Sequence, residues 1–121
     1  MNSTLALRIA ALAGFLAVAL GAFGAHALKA TFLENGQAHT WETAAHYHLV
    51  HAVVLLVLAL RKEVARLPFV LFTAGIAIFS GSLYLLAVTN VRWLGAITPI
   101  GGLCLLAGWL LLAFGRTNAA S

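Results

Sequence analysis

Thr40-Trp-Glu-Thr-Ala-Ala-His-Tyr-His-Leu-Val-His51 leads without a break into the apolar run Ala52–Leu60. His39 stands just upstream, so four of the five histidines of the chain are gathered here, with Glu42, one of its three carboxylates. A polar cluster at the head of a membrane-length apolar segment is expensive to bury, so partners or a function must hold it there.

Outside this stretch the sequence is nearly all hydrocarbon. Of 121 residues, 63% are hydrophobic and 8% charged, and the mean hydropathy is +1.01. A soluble domain carries about 25% charged residues, so the composition is that of a membrane protein, and the length suits one domain over residues 1–121. A formal charge of +4 would suggest nucleic acid in a soluble chain. Here the few Lys and Arg stand at the ends of apolar runs, where they act as topology signals, and no nucleic-acid partner is expected. A lone Cys104 excludes an intramolecular disulfide and a multi-cysteine zinc site.

A spanning helix needs roughly 20 apolar residues. Segments 5–28, 41–60, 67–88 and 94–114 meet that length. The first imitates a cleavable signal peptide, with Arg8 ahead of an apolar run and Ala25-His26-Ala27 as an A-x-A site. Its run exceeds the usual apolar core of such peptides and comparable segments follow, so it reads as a retained first span. Short connections force neighbours in sequence to be neighbours in space. The expected fold is all-α: an integral membrane four-helix bundle, up-down-up-down. Arg8, Arg61, Lys62, Arg66 and Arg116 share one side, against Lys29 and Arg92 on the other, which makes the orientation N-in/C-in in the bacterial cytoplasmic (inner) membrane. Trp41 and Trp93 then mark the outer interface, and the histidine cluster falls in the outer half.

Small residues point to close helix packing. Ala13, Ala17, Gly21 and Ala25 form a ladder at fourfold spacing, beside Ala6, Ala10 and Gly14. Such ladders let backbones approach where lipid offers no hydrophobic drive, either within the bundle or in self-association. Ala77 and Gly81 are a lesser version, and Gly101-Gly102 would admit another backbone. Asn35-Gly36 is a helix stop, so the first helix is expected to run to about Glu34. Thr40 reads as the N-cap of the second span, with Glu42 in its first turn. Thr98-Pro99 has the N-cap and N1 pattern, meaning a late helix start or a Pro kink after a short turn. Internal repeats are not evident.

At about 100° per residue, His39, Glu42 and His46 share one face of the second helix, while His48 and His51 share another, with Tyr47 between. The hairpin with helix 1 brings His26 to the same end. Three readings of the cluster follow. In the first it is a hydrogen-bonded polar core that sets helix register, with Tyr47 and Tyr84 hydroxyls among the partners. In the second it is a metal or haem site: imidazole suits zinc, copper and b-type haem, and His26, His48 and His51 are the candidate metal ligands. In the third it is a proton path, because histidine titrates near neutrality. Ser80 and Ser82 are in reach as hydrogen-bonding groups. No H-E-x-x-H, P-loop or dinucleotide fingerprint is present, C-x-x-C-H is absent, and the balance leans away from an enzyme.

The motifs Gly21-Ala-Phe-Gly-Ala-His-Ala-Leu-Lys29, Thr43-Ala-Ala-His-Tyr-His-Leu-Val-His51, Phe79-Ser-Gly-Ser-Leu-Tyr84, Thr98-Pro-Ile-Gly-Gly102 and Gly108-Trp109 resemble domain-of-unknown-function family 423. These are small multi-spanning bacterial inner-membrane proteins with mitochondrial relatives. The resemblance covers nearly the whole chain. It implies a four-span membrane protein and no established activity, so it transfers no catalytic residue. Its F-G-A-H, Y-H-x-x-H and S-G-S-L-Y patterns fall on His26, Tyr47, His48, His51, Ser80, Ser82 and Tyr84.

The expectation is therefore a non-enzymatic accessory or scaffold protein, with a polar core drawn from His26, Glu42, His46, Tyr47, His48, His51, Ser80, Ser82 and Tyr84. The alternative is histidine-based binding or conduction of metal, haem or protons. No cofactor is required by the sequence, and its identity, if any, is unknown. The partner is the lipid bilayer, with room for a homo-oligomer or a larger membrane complex.

Overall fold

The computed structural model describes residues 1–115; Arg116, one of the orientation signals, lies outside them. Among the described residues there is no strand. The elements are α1 (Ser3–His26), α2 (Lys29–Asn35), α3 (Ala38–Ala59), α4 (Arg66–Gly75), a π-helical turn (Ile76–Ser80), α5 (Gly81–Thr89), a 3₁₀ turn (Arg92–Ala96) and α6 (Thr98–Phe114). Four stretches are long and apolar enough to cross a membrane: Ser3–His26, Ala38–Ala59, Arg66–Thr89 and Arg92–Phe114.

Local chemistry explains most of the ends. The Asn2 side chain accepts from the Thr4 and Leu5 amides and starts α1. The first helix does not run on to Glu34, as expected; it breaks at Ala27–Leu28, where the Leu28 amide reaches back to the Phe23 carbonyl. Nothing in Ala-His-Ala-Leu-Lys disfavours helix. The break is tertiary, since it lets Phe32 of α2 fold back onto Trp41. Gly36 ends α2 in the left-handed conformation (φ 73°). Thr40 is not an N-cap: α3 starts earlier, at Ala38, and the Thr40 hydroxyl donates to the Gln37 side chain. Glu42 accordingly falls beyond the first turn. Of the two readings of Thr98-Pro99, the structure takes the late start, with Pro in the first turn of α6 and the 3₁₀ turn ahead of it.

The spans pack serially, α1 on α3, α3 on α4–α5, and α4 with the π turn on α6. One apolar core joins Ala6 and Ala10, Leu55 and Leu58, Phe69, Phe72 and Leu105 at the basic-loop end. A second, aromatic cluster of Phe32 and Trp41 lies at the other end. The α1 seam corrects the expected ladder. Its buried residues are Ala6, Ala10, Ala17 and Gly24, with Ala13 and Gly21 half-buried and Ala25 exposed. A strict fourfold ladder advances about 40° around the helix at each step, so by Ala25 it has wound off the contact face. The observed spacing alternates near a heptad and stays on it.

Other glycines mark the close approaches. A Cβ on Gly101 would overlap the backbone of Ile78 and Phe79, and one on Gly75 the side chain of Leu105. These two contacts clamp α6 to the π-helical turn, where the widened backbone carries Ser80 towards α3. Gly108 seats the Phe72 ring and Gly24 the Trp41 indole. By contrast, Gly21 and Gly81 face open space, and Gly102 has only ordinary contact with Phe79; these three are not points of close helix approach.

Candidate functional site

Between the two apolar clusters lies a belt of buried polar side chains on α3, the π turn and α5. His48 and His51 are each 5% exposed, Ser80 1% and Ser82 6%, with Tyr84 half-buried beside them. The other expected members lie elsewhere. His26, His39, Glu42 and His46 are exposed, and Tyr47 is 43% exposed. The i, i+3 pair His48/His51 sits on the inner face of α3 with Trp41, Ala44, Leu55 and Leu58, while Glu42 and His46 occupy the opposite one.

Each belt residue ties two elements together. His48 Nδ1 is 2.9 Å from the Tyr84 hydroxyl, which joins α3 to α5. The Ser80 hydroxyl donates to the Ala44 carbonyl at 2.8 Å, joining the π turn to α3. Ser82 and Thr98 are 2.6 Å apart and join α5 to α6; Ser82 also donates to the Phe79 carbonyl.

His51 has the most constrained chemistry. Its Nδ1 lies 2.7 Å from the Tyr47 carbonyl, which can only accept, so Nδ1 carries the proton. Its Nε2 takes the Trp109 indole N–H at 3.1 Å. The imidazole is thus a neutral Nδ1–H tautomer with both nitrogens engaged. Phe72 and Trp109 pack around it at ring-centroid distances of 5.7 and 5.9 Å. Tyr47 contributes its carbonyl and a stacked ring 6.2 Å away, not the hydroxyl expected of it.

Trp41 makes a second lock. It is 5% exposed, so it does not face outward as an interfacial anchor would, whereas Trp93 is 66% exposed. The Trp41 indole lies over Gly24 and donates to the Leu20 carbonyl at 2.9 Å, and its ring meets Tyr84 at 4.6 Å. At the same end Asn35 donates to the Ala87 carbonyl, and Gln37 to the Asn90 side chain. Sequence reasoning passed over Trp109, Thr98 and Ala44 as belt members. For Trp109 there was a signal: an indole N–H in an apolar span needs an acceptor, and imidazole nitrogens are the natural ones at that depth.

The three histidines considered as metal ligands do not converge. His26 is exposed at the end of α1, while His48 and His51 are buried at mid-span on α3. Among the described residues no three His, Cys, Asp or Glu side chains are grouped to hold a metal.

Fold and belt together define a small multi-pass membrane protein whose spans are joined by internally satisfied polar contacts. The chain belongs to the family described as "Protein of unknown function (DUF423)", whose model matches residues 20–102. That range holds the Trp41–Leu20, His48–Tyr84, Ser80–Ala44 and Ser82–Thr98 contacts. The chain is 45% identical over 117 residues to a UPF0382 membrane protein of Staphylococcus epidermidis, covering 93% of this chain and 94% of the relative. It is 40% identical over 111 residues to the UPF0382 membrane protein YwdK of Bacillus subtilis, 86% of this chain and 89% of the relative. To the UPF0382 inner membrane protein YgdD of Escherichia coli it is 40% identical over 124 residues, 95% and 91%. No solved structure matches. The protein is accordingly a multi-pass protein of the bacterial inner membrane, surrounded by lipid.

Proposed function

We propose that this is a non-catalytic accessory or scaffold protein, folded as one domain, whose polar belt sets the register of its spans. The observation that carries this reading is the completeness of the belt: among the described residues no buried side-chain nitrogen or oxygen lacks a hydrogen-bond partner. A metal or haem iron needs a free imidazole lone pair. The lone pair of His51 is taken by Trp109, and Nδ1 of His48 is held by the Tyr84 hydroxyl. A belt of this kind is an alternative to hydrophobic drive, which helices in lipid lack.

The same reading places both termini and the Arg61–Arg66 loop in the cytoplasm, by the charge bias of Arg8, Arg61, Lys62 and Arg66. It also leaves the outer faces of α1 and α6, with Phe15 and Leu103 among their exposed side chains, for a second copy or a larger membrane complex.

The test is made on protein purified in mild detergent. An absorption spectrum without a Soret band, metal far below one per chain, and a lowered unfolding midpoint for the His48→Ala/His51→Ala variant are expected. Stoichiometric metal or haem, or an unchanged midpoint, would overturn the reading. Chemical cross-linking in native membranes tests assembly, with a dimer or a larger adduct through α1 or α6 expected.

A further inference from the structure

At the end of the bundle away from the basic loop, α1, α2 and the start of α3 enclose an open groove of about 550 Å³. This lies within the range of small-molecule sites, roughly 300–1,000 Å³. Its polar lining consists of His26, Lys29 and Glu42, and its apolar wall includes Phe32, Leu33 and Trp41. Lys29 and Glu42 are the opposite charges of the groove. None of the three polar side chains has a hydrogen bond, ion pair or ring contact among the described residues. They are not part of the belt, whose groups are all mutually satisfied.

We propose that this groove binds the headgroup of a zwitterionic phospholipid bearing a primary ammonium and a phosphodiester. The ammonium is recognised by the Glu42 carboxylate, and the phosphate by the Lys29 ammonium with His26 as a further donor. Two considerations favour this occupant. A cation and an anion that share one groove without pairing complement a ligand that carries both charges. The groove also lies where the ends of apolar spans meet the interface, with Leu33 80% exposed at its rim, so acyl chains can continue along the hydrocarbon faces of α1 and α3. A purely anionic lipid would meet Glu42 with like charge. A choline headgroup would offer it no N–H donor.

The test is a binding titration of the full chain in detergent by native mass spectrometry. It uses phosphatidylethanolamine, phosphatidylglycerol and phosphatidylcholine with the same acyl chains. Phosphatidylethanolamine is expected to bind about fivefold more tightly than either, the upper end for exposed charge pairs. Glu42→Gln should remove that preference, and Lys29→Gln should weaken all three lipids together by the loss of the shared phosphate contact, neither moving the unfolding midpoint. Gly21→Leu supplies an independent variant. Gly21 lines the groove, and a Cβ there meets no atom within 4 Å, so the added side chain fills the groove while the fold is kept. Equal affinity for the three lipids, a preference that survives Glu42→Gln or Gly21→Leu, or affinities that Lys29→Gln leaves unchanged would overturn the proposal. So would displacement of the lipid by soluble glycerophosphoethanolamine at comparable concentration, because the ligand would then be the free headgroup.

Discussion

His51 donates to a carbonyl through Nδ1 and accepts an indole N–H through Nε2, so its proton is placed by neighbours on two helices. Free histidine side chains favour the Nε2–H tautomer. In ¹⁵N spectra of histidine-labelled protein the neutral form of His51 should instead show the Nδ1–H pattern. Trp109→Phe leaves Nε2 without its donor and should lower stability by about 1 kcal/mol. A double-mutant cycle with His51→Phe should return most of that loss as coupling, whereas additive losses would mean that the two side chains pack without bonding. How far the belt was legible depends on the helix face. The spacing separated His48 and His51 from Glu42 and His46. It did not say which set points inward, because apolar residues cover both faces of a helix that meets lipid on one side and protein on the other. His26 and Glu42 were expected inside on the strength of the hairpin. The hairpin does bring them to one place, but that place is the open groove.

The third span is an α-helix interrupted by a π turn at Ile76–Ser80, and its partner across the contact is Gly101. This interruption was not legible: Ile-Ala-Ile-Phe-Ser has no helix breaker, and the signal is long-range. α6 comes close enough to exclude any side chain at Gly101, while Ser80 bonds α3 on the opposite side. A widened turn accommodates both approaches. Gly101→Ala should therefore destabilise the bundle by about 1–3 kcal/mol, as overpacking against backbone does. Gly81→Ala, which meets open space, should be neutral or stabilising by up to about 1 kcal/mol, through helix propensity alone. Unfolding midpoints of the two variants, measured side by side in the same detergent, check the contrast; equal effects would mean that α6 can slide away from the π turn. The sequence already singled out Gly101-Gly102 as admitting a backbone. It did not separate these from Gly21 and Gly81, which face open space within one chain, because composition identifies small residues without showing which of them face a neighbour.

For the molecule as a whole, the four spans were legible from length and hydropathy, since lipid permits no other way to satisfy an apolar backbone of this kind. Their serial arrangement follows from the short connections, but their ends shifted by a few residues wherever a cap or a fold-back decided them. Orientation is the global property with a direct local test. Glu34, at the end of α2, and Lys62, in the loop before α4, are both exposed and belong to opposite ends of the bundle. On a Cys104→Ser background, Glu34→Cys should react with a membrane-impermeant maleimide in intact cells, and Lys62→Cys only after permeabilisation. Removing Lys62 leaves Arg8, Arg61 and Arg66 to hold the bias. If those three are changed to Gln, and Lys62 to Gln wherever it does not carry the probe, Lys29 and Arg92 outnumber Arg116, the charge bias between the ends inverts, and the labelling pattern should invert with it. Reversed labelling in the parent would place the termini outside. It would also move the His26–Lys29–Glu42 groove to the cytoplasmic leaflet, so the leaflet in which a bound phospholipid is protected from a surface-reactive amine probe must agree with the cysteine result.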